Sequence, residues 1–433
     1  MSHPLDESPW RRAHWLLFAI VSASFFLDGV LFSLVPTLAY LLPDVAPYAT
    51  YIFAANSIAF LLGALALGRA ADLLGRRAGL VLSLAIYTAA SIAFAAAYWL
   101  NALTVAAAFL LTSLINFGVG GETGSAFSAL AEFSPARHRG KALMLAANFW
   151  NIGAAVIAGL SLIYAQLSSD PRTIVLWTFA TAIALALVVL LARLHLPESP
   201  RWLAARGRAA EARRVVALFT GVEADPPPQQ QGLGLKEALR TRALGFFVLL
   251  VVTSAQLTTY NIAAYYAPYA PGFPYGSDFA PIVVAVANFG ASLGAFLLLP
   301  VIDKSRRASL TSAFLGGLAT AAPLWLLVLK AAPAPFLAVL AVNMVFAEWA
   351  WGSLGVLESE LFPTGVRASV VGVVTATAWA VNTALVAAEG YIDAPTFMAV
   401  NAAVWAAGAA AALLWHLKGF ESARKTLEEI QKS

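Results

Sequence analysis

Twelve apolar runs of about twenty residues recur along the chain, each long enough to cross roughly 30 Å of hydrocarbon as a helix. No other feature limits the fold as strongly. In lipid the backbone must satisfy its own hydrogen bonds, so such runs read as spanning helices rather than open sheet. The pattern predicts spans at 13–35, 48–68, 79–97, 103–131, 142–165 and 173–195, then at 244–268, 279–301, 309–330, 336–359, 369–389 and 395–416. Composition points the same way. Only 12% of the 433 residues are charged, where a soluble chain of this length carries roughly 25%. That deficit excludes a soluble globular enzyme. The chain has no cysteine, which removes disulfides, thiolate metal sites and cysteine nucleophiles. The start, Met1 to His14, is short and polar, and the run after it is too long for a signal h-region. It reads as a retained first helix.

One long polar stretch, Pro197 to Ala243, splits the spans six and six. It holds Pro226-Pro227-Pro228 and Gln229-Gln230-Gln231, with a helix expected around Arg208 to Phe219. The expected organisation is an N-terminal six-helix bundle (1–196), a connector (197–243) and a C-terminal six-helix bundle with a short tail (244–433). Basic residues set the orientation. With the N-terminus inside, 25 of the 27 Lys and Arg fall on inner segments, and only Arg172 and Lys330 fall outside. Both termini and the connector are therefore expected in the cytoplasm, with the chain in the cell membrane. The basic residues sit between apolar runs rather than on one face, so the net charge of +4 is no nucleic-acid signal.

The two halves repeat. Gly63 and Asp72 precede Arg76-Arg77, as Gly294 and Asp303 precede Arg306-Arg307. Glu132, Pro135 and Arg139 match Glu360, Pro363 and Arg367 at identical spacing. Glu198-Ser199-Pro200-Arg201 matches Glu421-Ser422-Ala423-Arg424. Three pairs in one order at nearly one offset point to parallel six-helix repeats.

These motifs resemble the major facilitator superfamily and, within it, the sugar porter-like branch of metabolite:proton symporters. Gly68 to Arg77 looks like the superfamily's inner-loop signature. Pro197-Glu198-Ser199-Pro200-Arg201-Trp202-Leu203 is similar to the sugar porter signature after helix six. Tyr260-Asn261 with Tyr265-Tyr266-Ala267-Pro268, preceded by Gln256, is similar to the family's helix-seven motif. Thr426-Leu427-Glu428-Glu429-Ile430 is similar to its C-terminal motif. The resemblance implies an all-α integral membrane fold of twelve helices in two pseudo-symmetric bundles, and secondary active transport of a small organic solute by alternating access, with proton symport. It departs from the sugar porters where glutamines are expected, at Ala147, Ala255 and Ala378, and where a helix-four arginine is expected, at Thr112. Gly120-Gly121-Glu122 instead resembles related carriers of organic anions, aromatic acids and phosphate. Sugar and organic acid both stay open as substrate.

Acids inside a bilayer are costly and face a cavity or a partner. Asp28, Glu122 and Glu348 fall inside spans, and no Lys or Arg is expected deep in a span beside them. Asp28 and Glu122 are the expected proton-coupling pair, set against the reading of permanently protonated acids bonded to neighbouring helices. Glu389 and Asp393 fall at the outer surface and are expected to be solvated. Gln256, Asn261, Tyr265, Trp379, Asn382 and Asn148 are the expected substrate-binding residues, set against ordinary interhelical hydrogen bonding. Asp72, Arg76, Arg77, Glu132, Arg139, Asp303, Arg306, Glu360 and Arg367 are expected to gate the inner side by pairing with the opposite bundle; the alternative is topology alone. The expected partners are a small solute, protons and lipid, with no nucleic acid, metal or cofactor, and the chain acting as a monomer. No phosphate loop of the Walker type is present. Proton-antiport efflux and a transport-inactive nutrient sensor are the alternative functions.

Overall fold

A computed structural model describes residues 4–225, 235–302, 304–362 and 364–423. The triple proline, the triple glutamine, Asp303, Pro363, Arg424 and the 426–430 motif lie outside the described residues, as do the side chains of Asp72, Glu132, Arg139, Arg201 and Arg367. The described residues are helical, with no strand among them. Twelve helices are long and apolar enough to span a membrane. They are α1 (Arg12–Leu38), α2 (Ala49–Leu74), α3 (Arg76–Trp99), α4 (Val105–Phe133), α5 (Ala136–Leu167), α6 (Pro171–Arg193), α7 (Ala243–Asn261), α8 (Ala280–Leu298), α9 (Arg306–Lys330), α10 (Pro333–Leu361), α11 (Thr364–Glu389) and α12 (Ala394–Lys418). The chain is a multi-pass membrane protein.

By contact the chain forms two units. The first is Met1–Val35 with Ile58–Gln229; the second is Pro36–Ser57 with Gln230–Ser433. The hairpin that ends α1 and begins α2 thus belongs with the second unit. Its first residue is Pro36, which removes a backbone donor inside α1.

Inside each unit the same packing recurs. α3 lies on α4 and α6; α9 lies on α10 and α12. Glycines set the crossings. A Cβ on Gly63 of α2 would collide with the carbonyl of Phe117 on α4, and one on Gly120 of α4 with that of Phe60 on α2. Gly29 of α1 and Gly153 of α5 meet Trp150 and Phe26 in the same reciprocal way. In the second unit Gly290 and Gly294 of α8 meet Ala341 and Val345 of α10. Gly63 and Gly294, paired by the sequence repeat, therefore perform one task. With no hydrophobic drive between helices in lipid, close backbone approach supplies the packing energy.

The connector is not a free tether. Its helix Ala209–Thr220 buries Val216 and Phe219 beside Leu5, Leu17, Leu130 and Phe133, in the core of the first unit.

Candidate functional site

The first unit buries a cluster of ionisable side chains. Asp28 on α1 and Glu122 on α4 have no solvent exposure, and neither has Arg193, the last residue of α6. Arg193 pairs with Glu122. It also donates to the Leu80 carbonyl at 2.5 Å and to Ser24 Oγ at 2.7 Å. Tyr87 on α3 donates to the other Glu122 oxygen at 2.9 Å. The expectation that Glu122 has no basic partner is overturned. Arg193 counts as an inner-segment residue by position, but helical side chains lean toward their N-terminus. From the last turn of α6, that lean carries the guanidinium back among the helices. Asp28 differs from Glu122. Arg193 acts on it electrostatically, yet neither Asp28 oxygen has a hydrogen-bond partner among the described residues. Asn148, on α5 of the same unit, accepts from Asn151 Nδ2 at 3.1 Å.

The second unit carries a polar cluster without formal charge. α7 ends in a π-helical turn, Ile262–Tyr266, followed by a 3₁₀ turn, Ala267–Tyr269. Such turns interrupt the regular backbone ladder and concentrate at functional sites. Around this turn, Tyr260 donates to Asn288 Oδ1 at 2.6 Å, and Tyr265 to the same oxygen at 3.3 Å. Asn261 Nδ2 donates to Asn382 Oδ1 at 3.3 Å, and Asn382 Nδ2 to Ser57 Oγ at 3.4 Å. Gln256 donates to the Ala347 carbonyl at 3.3 Å, while its buried Oε1 has no partner among the described residues. Trp379 is buried on α11, 5% exposed. Four of the expected substrate residues, Gln256, Asn261, Tyr265 and Asn382, thus fall on one polar stretch of the second unit, as three separate hydrogen-bonded groups: Gln256 reaching α10, Tyr265 sharing Asn288 of α8 with Tyr260, and Asn261 bonded to Asn382 of α11. Asn288, Ser57 and Tyr266 join it, with Tyr266 hydrogen-bonding Ser57 and Asn382.

Two matching clamps sit at helix ends, one at the start of α3 and one at the start of α9. Glu198 accepts from the backbone N–H groups of Arg76, at 2.8 Å, and Arg77, at 3.3 Å, at the start of α3. Gly75, just before them, has φ of 107°, and a Cβ there would collide with the Glu198 carboxylate. Arg77 Nη2 donates to the Leu194 carbonyl, just past the end of α6, at 3.1 Å. In the second unit Glu421 accepts from Arg306 N at 2.9 Å and from Ser305 Oγ at 2.5 Å. Arg307 donates to the His416 carbonyl, at the end of α12, at 3.0 Å. Arg306 also pairs with Glu360 at 3.2 Å, and Ser422 donates to Glu360 at 2.5 Å. A carboxylate on helix-start amides and an arginine on helix-end carbonyls both complement the helix dipole. Arg77, Arg306 and Arg307 make these contacts within their own half. Glu198 and Glu421 are visible in sequence as a repeated motif, and their capping role emerges only from the fold.

Glu421 lies outside the spans. Burial opposes its ionisation, but hydrogen bonds from Ser305 and from the N–H groups of Ala423, Arg306 and Arg307 outweigh that and hold its carboxyl below the ordinary value. Glu389 overturns another expectation. It is fully buried rather than solvated, with no hydrogen-bond partner for either oxygen among the described residues.

Comparison with known proteins agrees with this architecture. Residues 39–433 match the family described as sugar (and other) transporter. The chain is 32% identical over 223 residues to the inner membrane metabolite transport protein YgcS of Escherichia coli, covering 50% of this chain and 48% of that relative. It therefore spans about half the length of that protein. It is 25% identical to the galactose-proton symporter of Escherichia coli over 84% of this chain and 82% of that one. The fold matches the partially occluded, inward-open xylose transporter XylE from E. coli, with a TM-score of 0.78 at 17% identity, covering 96% of this chain and 100% of XylE. With the repeat, the twelve helices and the paired clamps already in place, the match over residues 39–433 assigns the chain to the sugar (and other) transporter family.

Proposed function

We propose that the chain carries a small, uncharged polyhydroxy solute, of the sugar or polyol class, together with a proton by alternating access. The solute-binding residues in this reading are Gln256, Tyr260, Asn261, Tyr265, Asn288, Trp379 and Asn382, all in the second unit. Amides and phenols offer both donors and acceptors to hydroxyl groups. Among the described residues, no Lys or Arg hydrogen-bonds into this network, which favours a neutral solute over an organic anion. The named activity of the galactose-proton symporter supports the same class.

Asp28 is the proton carrier in this account. The observation that carries it is a fully buried carboxyl without a hydrogen-bond partner among the described residues, under the electrostatic influence of a guanidinium already engaged by Glu122. An ion at that place is costly, so passage between closed and wetted environments is tied to gaining and losing a proton. Glu122 takes part through Arg193, holding the guanidinium beside Asp28. The same reading assigns gating to Arg76, Arg77, Arg306 and Glu360, and to Asp72, Glu132, Arg139, Asp303 and Arg367. The working setting is the cell membrane, with both termini in the cytoplasm.

A thermal-shift screen of the purified chain with hexoses, pentoses, polyols and monocarboxylates tests the substrate class, since a ligand that binds the folded state raises the melting temperature. A shift of several degrees with a sugar or polyol, lost in Gln256→Ala, is the expected result. A shift confined to carboxylates would replace this reading with organic-acid symport.

A further inference from the structure

Glu389 ends α11 seven residues beyond Asn382, about two helical turns, so both side chains lie on nearly one face. The hairpin of residues 36–57 is seated on this end of the second unit. Tyr269 donates to the Pro36 carbonyl at 2.7 Å. The hydroxyls of Tyr51 and Tyr391 bond at 2.8 Å. Phe53 stacks on Tyr266 with ring centroids 5.1 Å apart. At Gly390, adjacent to Glu389, a Cβ would lie 3.3 Å from Thr50 Oγ1. The acid is thus enclosed beside a contact made of phenols, aromatic rings and backbone, and among the described residues no Lys or Arg bonds to it.

We infer that Glu389 is a second proton-binding carboxyl, in the second unit, which takes up a proton when the 36–57 hairpin docks against the ends of α7 and α11. This goes beyond the role of Asp28, which lies in the first unit. Among the described residues, neither Glu389 oxygen has a hydrogen-bond partner that would stabilise a negative charge. The ionisable groups that feel its charge are the phenols of Tyr266 and Tyr269 from the broken end of α7. Asp278, before α8, and Tyr40 on the hairpin act on one another, while Asp393 and Tyr391 face solvent. A docked hairpin with an ionised Glu389 leaves a desolvated charge uncompensated. A released hairpin lets water solvate it. Docking therefore binds one proton: low pH favours the docked state, and rising pH releases it once the solvated carboxyl ionises.

The absence of cysteine makes the test direct. Spin labels on Tyr48→Cys in the hairpin and Pro274→Cys in the loop before α8, both exposed positions of the second unit, read the docked distance. An Asp28→Asn background removes the proton carrier proposed for the first unit. With Glu389 present, the docked-to-released ratio should fall by up to about tenfold per pH unit above the carboxyl's solvated range. Glu389→Gln should stay docked with a flat profile, and Glu389→Asp should restore the slope. An unchanged slope in Glu389→Gln, or a flat profile with Glu389 present, overturns the inference. Should Glu389→Gln not fold, difference infrared spectra of the unsubstituted acid decide. A protonated-carboxyl band that fades in step with the docked population supports the assignment, and a band that does not track it refutes it.

Discussion

Breaking the Arg193–Glu122 pair from one side should cost more than replacing both partners. Arg193→Met removes the ion pair and the bonds to Leu80 and Ser24, and leaves Glu122 fully buried with Tyr87 alone. An uncompensated buried charge of this kind costs about 3–5 kcal/mol. For a cooperative unit of roughly 200 residues, about 2–4 °C of melting temperature is lost per kcal/mol, so the shift should be on the order of 10 °C. Glu122→Gln leaves the guanidinium its two other acceptors and should cost less, about 2 kcal/mol. The double variant buries a thioether against a neutral amide that Tyr87 still contacts. It should melt within a few degrees of the parent, well above Arg193→Met alone. The assay is detergent-solubilised thermal unfolding of all four proteins, read as a double-mutant cycle: the single losses sum to about 5–7 kcal/mol and the double variant loses about 1, a coupling of about 4–6 kcal/mol. Additive losses in the double variant would show that the two side chains do not act as a pair, and the arrangement around Asp28 would lose its basis.

Other outcomes follow from the same contacts. Gly63→Ala and Gly294→Ala should each lower the melting temperature by an amount equivalent to about 1–3 kcal/mol, because each Cβ meets a facing carbonyl; unchanged melting would mean the crossings are looser than described. Glu421 has a lowered folded-state carboxyl value, so its capping contribution is present above the ordinary value of 4.5 and is lost as pH falls through the folded one. Glu421→Gln should therefore melt lower near neutral pH and lose less between pH 6 and 4 than the parent does, about 1 kcal/mol in all; equal acid sensitivity would refute the cap. Gln256→Ala should raise the KM for solute at least several-fold while leaving folding intact, measured by uptake and thermal melting together.

Most of the architecture is legible in sequence because it rests on local signals. An apolar run reports a span within its own twenty residues, without reference to packing. The repeat of Gly63 with Gly294 and of Glu198 with Glu421 is visible as spacing, and the structure supplies its meaning as a helix crossing and a helix cap. The residues that sequence misjudged sit at helix ends. Arg193 and Glu389 are the final residues of α6 and α11, where position along the chain says inner segment and outer surface. Burial there depends on which way the last turn faces and on what is seated over it: α1, α3 and α4 around Arg193, the 36–57 hairpin beside Glu389. Neither is encoded in the neighbouring residues. The polar network of the second unit was partly legible, since Gln256 and Asn261 carry a family likeness, whereas Ser57 enters it only through the hairpin's place in the fold.

The central claim, proton-linked solute carriage through Asp28, is tested most directly by solute-evoked proton uptake into proteoliposomes, using a sugar or polyol that shifts the melting temperature. The parent chain should take up protons on solute addition and accumulate solute against its gradient when a proton gradient is imposed. Asp28→Asn should bind and exchange the solute while both the proton signal and the accumulation vanish. Uphill accumulation that persists in Asp28→Asn would contradict the account.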